Sequence, residues 1–184
     1  GTLSGPACKA RAYMDFMARQ PLFAGMEFKV DGHEGHAFRK LHVRVKNEIV
    51  ALGLGPEIDA AHRAAPYIEP AEMRELLRHP QKDVVILDTR SRYEFEVGKF
   101  KGAVTLDIEN FRELPAQAPE LDRLRGKKIV TYCTGGIRCE KVTAWLLQRG
   151  FRDVVQLHGG IIRYGHEMGG EGFEGRCYVF DQRI

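Results

Sequence analysis

From Glu69 onward the chain alternates short strand-like runs with helix-like segments, and that rhythm leaves few architectures open. The runs are residues 83–87 (DVVIL), 103–106 (AVTL), 128–132 (KIVTY) and 153–157 (DVVQL). Between them lie SRYEFEV, which Ser91 can cap, a short segment at 119–124, and a long one at 138–149. Near-continuous apolar runs suit strands buried on both faces. Strands separated by helices predict a parallel sheet covered on both sides. The expected fold class is therefore α/β.

The first third of the chain differs. Residues 6–19 predict a helix, with Ala10, Tyr13, Met14 and Met17 on one face, Pro6 in its first turn and Pro21 after its end. Residues 26–30 and 41–45 are strand-like, and the turn-rich DGHEG follows the first of them. One helix and two or three strands in about 55 residues bury little surface. The opening GTLSG resembles the tail of a strand, so further chain is expected upstream. Residues 54–70 (LGPEIDAAHRAAPYIEP) carry three prolines and no sustained period. The expected organisation is a partial α+β domain at 1–53, a linker at 54–69 and an α/β domain at 70–184.

Composition excludes some classes. No apolar run approaches the ~20 residues of a membrane helix, and no signal-peptide pattern opens the chain. Cys8, Cys133, Cys139 and Cys177 form no C-x-x-C pair and no cluster with zinc spacing, so no metal is expected and a reducing cytoplasm is. A net charge of +3 is compatible with nucleic acid without arguing for it.

The chemistry concentrates after the third strand of the α/β domain, in YCTGGIRCEK. Open parallel sheets place their reactive groups at the carboxyl ends of strands, and Cys133 falls there. Thr134, Gly135, Gly136 and Ile137 then lead into a helix beginning near Arg138. Glycines allow the sharp turn by which several amide N–H groups converge on one anion. The helix dipole adds to them, as do Arg138 and Lys141. Such settings hold cysteine as thiolate, with a pKa of roughly 3.5–7.5, and suit Cys133 to act as nucleophile or sulfur carrier. Cys139, followed by Val142 and Leu146 at helical spacing, is a small core residue or a second thiol able to resolve an oxidised or persulfidated Cys133. Cys8 and Cys177 carry no functional assignment.

The stretch from about Asp83 to Leu157, with VILDTRSRYEFEVGKFKGAVTLD and YCTGGIRC, resembles the rhodanese fold. The loop from Cys133 to Arg138 has the six-residue size that in this family holds a persulfide sulfur. Related dual-specificity phosphatases use a loop one residue longer for phosphate. FRKLHVRVKNEIVALG, QLHGGI and GRCYVFDQR extend the likeness to the tRNA uridine hydroxylase group of rhodanese-like proteins. That resemblance implies oxygen-dependent formation of 5-hydroxyuridine at the tRNA wobble position. It implies catalysis by Cys133, molecular oxygen as co-substrate, and a ferredoxin-like (acylphosphatase-like) domain before the rhodanese domain; the sequence itself carries no recognisable cofactor motif for metal, haem, flavin or nicotinamide. Ser91 departs from the Asn expected after the Arg, at a turn rather than at the chemistry.

Further roles follow from placement. In KLHVRVK, Leu41, Val43 and Val45 would share one strand face, with Lys40, His42, Arg44 and Lys46 on the other. With Arg39 the latter form a basic strip able to hold phosphates, or an ordinary solvated face. Asp88 ends the first strand of the α/β domain and is a candidate to orient loop amides or substrate. Arg90 and Glu94 are expected to form an ion pair, and Tyr132 and Trp145 to sit in the core. His158 is a loop histidine or an accessory proton carrier, and Arg163 and Tyr164 follow on a helix that would line an RNA approach. Plain sulfur transfer through a Cys133 persulfide is the alternative activity. A non-catalytic scaffold is the third reading, opposed by an intact Cys133 and Arg138.

Overall fold

The computed structural model describes residues 2–180, so Gly1 and the end of the GRCYVFDQR block lie outside the described residues. The chain divides into two compact units, 1–45 with 179–184, and 46–178.

In the first unit, α1 (Ala7–Ala18) forms as expected, with no residue buried, and a 3₁₀ turn follows at Pro21–Phe23. Residues 2–5, 26–30 and 41–45 form no strand. Leu41, Val43 and Val45 are each more than 80% exposed, so the inward face expected of the 41–45 strand does not exist. A strand needs a neighbour to take its backbone bonds, and among the described residues none pairs with this segment. Arg39, Lys40, Arg44 and Lys46 are therefore exposed cations along an irregular segment, not one face of a sheet.

The second unit carries a four-stranded parallel sheet. Its strands are β1 (Tyr67–Ile68), β2 (Val84–Asp88), β4 (Lys128–Tyr132) and β5 (Val154–Leu157), in the order β1-β5-β4-β2. A short antiparallel pair joins β3 (Gly98–Phe100) to β6 (Phe173–Gly175). The helices are α2 (Ala60–Arg63), α3 (Pro70–Arg78), α4 (Arg92–Val97), α5 (Ala118–Asp122), α6 (Ile137–Gln148) and α7 (Gly160–Met168).

Successive strand side chains point to opposite faces, and this divides the core. Leu87, Ile129 and Val154 pack with Val142, Trp145 and Leu146 of α6 and Leu121 of α5. Val130, Tyr132, Val155 and Leu157 pack with Met73 of α3 and Ile161 and Tyr164 of α7. Burial of each such side chain contributes about 1.5–3 kcal/mol.

Two expectations change. The run 103–106 contributes only a bridge, Val104 to Leu87, because its chain turns away after one residue. The stretch 54–69, expected as a linker, belongs to the sheet unit. It contains a 3₁₀ turn at Gly55–Glu57, α2 and edge strand β1, paired Tyr67 to Gln156 and Ile68 to Leu157. A two-residue strand shows no period, and the prolines around it mask the pairing.

Candidate active site

β4 ends at Tyr132, and the chain turns through 133–136 into α6. Gly136 takes the left-handed conformation at φ 92°, which glycine adopts without steric penalty. Its amide donates to Cys133 Sγ at 3.1 Å. The start of α7 braces the loop from below. Ile161 N donates to Cys133 O at 3.0 Å and Ile162 N to Thr134 O at 3.1 Å. This approach requires Gly160, where a Cβ would lie 2.5 Å from Cys133 O and 2.7 Å from Gly136 N.

Burial opposes ionisation of Cys133, since the residue is fully buried. A hydrogen bond with the Cys139 side chain, the Arg138 charge and the amides of Arg138 and Cys139 outweigh it, bringing the thiol down to about 5. Cys139 moves the opposite way. Its own burial and the neighbouring Cys133 hold its thiol well above the ordinary value. The opposite directions favour the thiolate at Cys133 and the protonated form at Cys139, whose sulfur also lies 3.7 Å from Thr89 Oγ1. The contribution of the second thiol is not legible in the spacing C-x5-C.

Two features depart from expectation. The sulfur is sealed rather than open: Cys133 is 0% exposed, Thr134 and Gly136 are buried, and the outward-facing residue of the loop is Ile137, 56% exposed. The cradle does converge on the sulfur, so the electrostatic half of the expectation stands and the access half does not. Arg138 also has a carboxylate partner. Its Nη1 and Nη2 donate to Glu94 Oε2 and Oε1 at 2.6 and 2.7 Å, and Nη2 reaches Thr134 Oγ1 at 3.2 Å. Glu94 is fully buried and also accepts from Ser91 N at 3.1 Å, closing the capping box of α4. The S-x-x-E spacing signals the cap; nothing in it points to Arg138.

The expected Arg90–Glu94 ion pair is thus replaced by two others. Arg90, fully buried, pairs with Asp88, Nη2 to Oδ2 at 2.7 Å, and donates to Gly98 O at 2.6 Å. Asp88 also accepts from Tyr132 Oη at 2.5 Å. With both its oxygens engaged, Asp88 fixes the end of β2 and does not orient the loop. Lys141 pairs with Glu48 at 2.5 Å instead of serving the loop. His158 joins Glu69 at 2.8 Å, lies beside Arg163 and stacks on Tyr67 with ring centroids 4.6 Å apart. Tyr132 and Trp145 are core residues, as expected.

The Cys139 pairing gives a first prediction. Cys139→Ser keeps a hydrogen-bond donor and should preserve part of any Cys133-dependent activity. Cys139→Ala removes the donor and should raise the Cys133 titration midpoint, read by thiolate ultraviolet absorbance against pH. An unchanged midpoint in the alanine variant would remove Cys139 from the account. Complete loss of activity in the serine variant would show that Cys139 itself reacts.

Among the described residues no group of three His, Cys, Asp or Glu side chains could hold a metal, and no helix is long and apolar enough to cross a membrane. Residues 69–166 match the rhodanese-like domain and residues 1–49 match the UPF0176 acylphosphatase like domain. Over its whole length the chain is 55% identical to a tRNA uridine(34) hydroxylase of Cytophaga hutchinsonii, and 52% identical to one of Listeria welshimeri across an alignment of 187 residues. It spans 58% of the length of each of these curated relatives. A thiosulfate sulfurtransferase from Pseudomonas aeruginosa superposes with a TM-score of 0.52 at 23% identity, over 69% of this chain and 23% of that one. That likeness is one of fold.

Proposed function

Because the chain belongs to the rhodanese-like domain family, we propose that its Cys133 loop serves a reaction on tRNA, hydroxylation of the wobble uridine at C5. The observation that carries this reading is the Cys133 sulfur held by the Gly136 amide in a loop whose amides and Arg138 charge favour its thiolate. The names of relatives that are half identical over the full chain support tRNA uridine as the substrate. In this reading Cys133 Sγ adds to C6 of the uracil, which makes C5 electron-rich. Molecular oxygen supplies the new C5–O bond, its O–O bond breaking with the second oxygen leaving as water, and loss of the C5 proton with departure of the thiolate from C6 restores the C5–C6 double bond. The net conversion consumes O₂, two electrons and two protons and releases water, with a thiol reductant providing the electrons. Protein and tRNA meet in the cytoplasm.

A sealed thiolate adds a requirement. The loop surface around Ile137 and Gly135 must shift before a base reaches the sulfur, so tRNA binding and loop opening are coupled. Such a thiolate stays desolvated until substrate arrives, which favours its nucleophilicity and guards it against adventitious oxidation.

Mass spectrometry of tRNA nucleosides from cells with and without the gene tests the proposal. Loss of one oxygen from a wobble uridine on deletion is the expected result. An unchanged nucleoside profile would reject it and leave sulfur transfer as the activity of the loop.

The exposed basic residues around 39–46 supply a further expectation. Arg44→Glu with Lys46→Glu should weaken tRNA binding and reduce its salt slope by about 2, one for each phosphate no longer neutralised. Filter binding across a salt series measures this, and an unchanged slope would remove these cations from the interface.

A further inference from the structure

A concave site lies on the sheet unit. The alanine-rich segment 60–65, Tyr67, Glu140 and Gln156 line a cavity of about 350 Å³, a size in the range of small-ligand sites. Gln156 is 1% exposed. Its Nε2 donates to Ala65 O at 2.6 Å, which settles the orientation of the amide, because the flipped form would set two oxygens together. Its Oε1 is buried and has no donor among the described residues. Buried polar atoms of that kind are rare and call for an explanation, a bound water, ion or ligand among them. Two further groups give the site its character. The Glu140 carboxylate accepts from Tyr67 Oη at 3.1 Å. Tyr67 is 48% exposed although its ring stacks on His158.

These features favour one kind of ligand. Acceptors at Gln156 and Glu140 call for a ligand with hydrogen-bond donors. The exposed Tyr67 ring and the short alanine side chains suit a flat, partly apolar body. The site shares elements with the reactive loop, through Glu140 on α6 and the stack of Tyr67 on His158. Glu140 follows Cys139 on α6, and the residues after His158, Gly159 and Gly160, pack against Gly136 and the carbonyls of Cys133 and Thr134. We propose that this cavity is a subsite for an amino-bearing nucleobase of the tRNA, adjacent to the uridine that reaches Cys133. The exocyclic amine would donate to Gln156 Oε1 while the base stacks on Tyr67. Uracil, with two carbonyls flanking one N–H, would set oxygens against these acceptors. The inference rests on the tRNA reading above for the source of the base, but its chemistry can be tested without turnover.

The test is a ¹H–¹⁵N NMR titration of the full chain with AMP, CMP, UMP and inorganic phosphate. AMP and CMP should shift the Gln156 side-chain amide and the Glu140 backbone amide saturably. UMP should bind about tenfold more weakly, and phosphate should leave these signals unmoved. Tyr67→Ala should weaken AMP binding about tenfold, in line with base stacking on aromatic rings. Ala61→Phe, at an exposed position on α2, should block the cavity while leaving Trp145 fluorescence unchanged. An equal response to UMP or to phosphate, or AMP binding undiminished in both variants, would overturn the subsite. Saturable AMP shifts in a protein whose deletion leaves tRNA unchanged would support the subsite and reject the tRNA reading. Wobble hydroxylation without any AMP shift would overturn the subsite alone.

Discussion

Cys133→Ser is expected to abolish wobble-uridine hydroxylation, lowering the rate by roughly 10³-fold or more. A serine hydroxyl fits the same cradle and accepts from the Gly136 amide, but it does not ionise near neutral pH. The variant therefore separates reactive sulfur from mere occupancy of the loop. The measurement is nucleoside mass spectrometry on tRNA from cells carrying only the variant, with unchanged Trp145 fluorescence as the control for folding. Full modification would reject Cys133 as the catalytic group. The wild-type pH profile sharpens the test. With the thiol down at about 5, the thiolate fraction stays near its maximum through neutral pH and falls as pH drops through about 5. Alkylation of Cys133 by iodoacetamide should follow that curve. It should also run slower than at the exposed Cys8 despite the greater acidity of Cys133, because access limits it. Faster labelling of Cys133 would mean that the loop opens without tRNA.

The parts of this molecule legible in its sequence are those set by local pattern. β4 runs over the residues expected of it, α6 lies one residue from its predicted start, and the Cys133 loop sits at the carboxyl end of a central strand. A five-residue apolar run and a twelve-residue helix carry enough periodicity to be read alone. β1 leaves no such signal because two residues carry no period, and its place depends on β5, nearly 90 residues later. The segment 41–45 misleads for the converse reason. Its alternation is clear, but alternation makes a strand only where a neighbour completes the ladder. The site shows the same division. The Cys-to-Arg spacing locates the cradle, whereas the partners of its charges come from 44 residues away in Glu94 and from the burial of Cys139. Neither leaves a trace in local spacing. Nor does sequence report whether a sulfur at a strand end faces solvent, since that depends on how tightly Gly160 lets α7 approach.

Glu94→Ala should be the most damaging substitution outside the loop itself. Glu94 is fully buried, and four donors converge on its carboxylate: both Arg138 nitrogens, Thr134 Oγ1 and Ser91 N. Truncation leaves the Arg138 charge buried without its bidentate partner, at a cost of about 3–5 kcal/mol. Whole domains are stable by about 5–15 kcal/mol, so the loss is a large share of the total. The thermal unfolding midpoint, followed at Trp145, should fall by roughly 10 °C or more. The acid–base consequence runs the other way. Glu94 partly neutralises Arg138, so removing it leaves more positive potential at Cys133 and favours the thiolate. In the fraction that remains folded, the Cys133 midpoint should fall below its wild-type value. Glu94→Gln keeps the side-chain volume and one acceptor, so it should show the same downward shift with a smaller loss of stability. A midpoint that rises in both variants would mean that Glu94 supports the thiolate by positioning Arg138. The pair would then work as a geometric clamp on the loop rather than as a balance of charge.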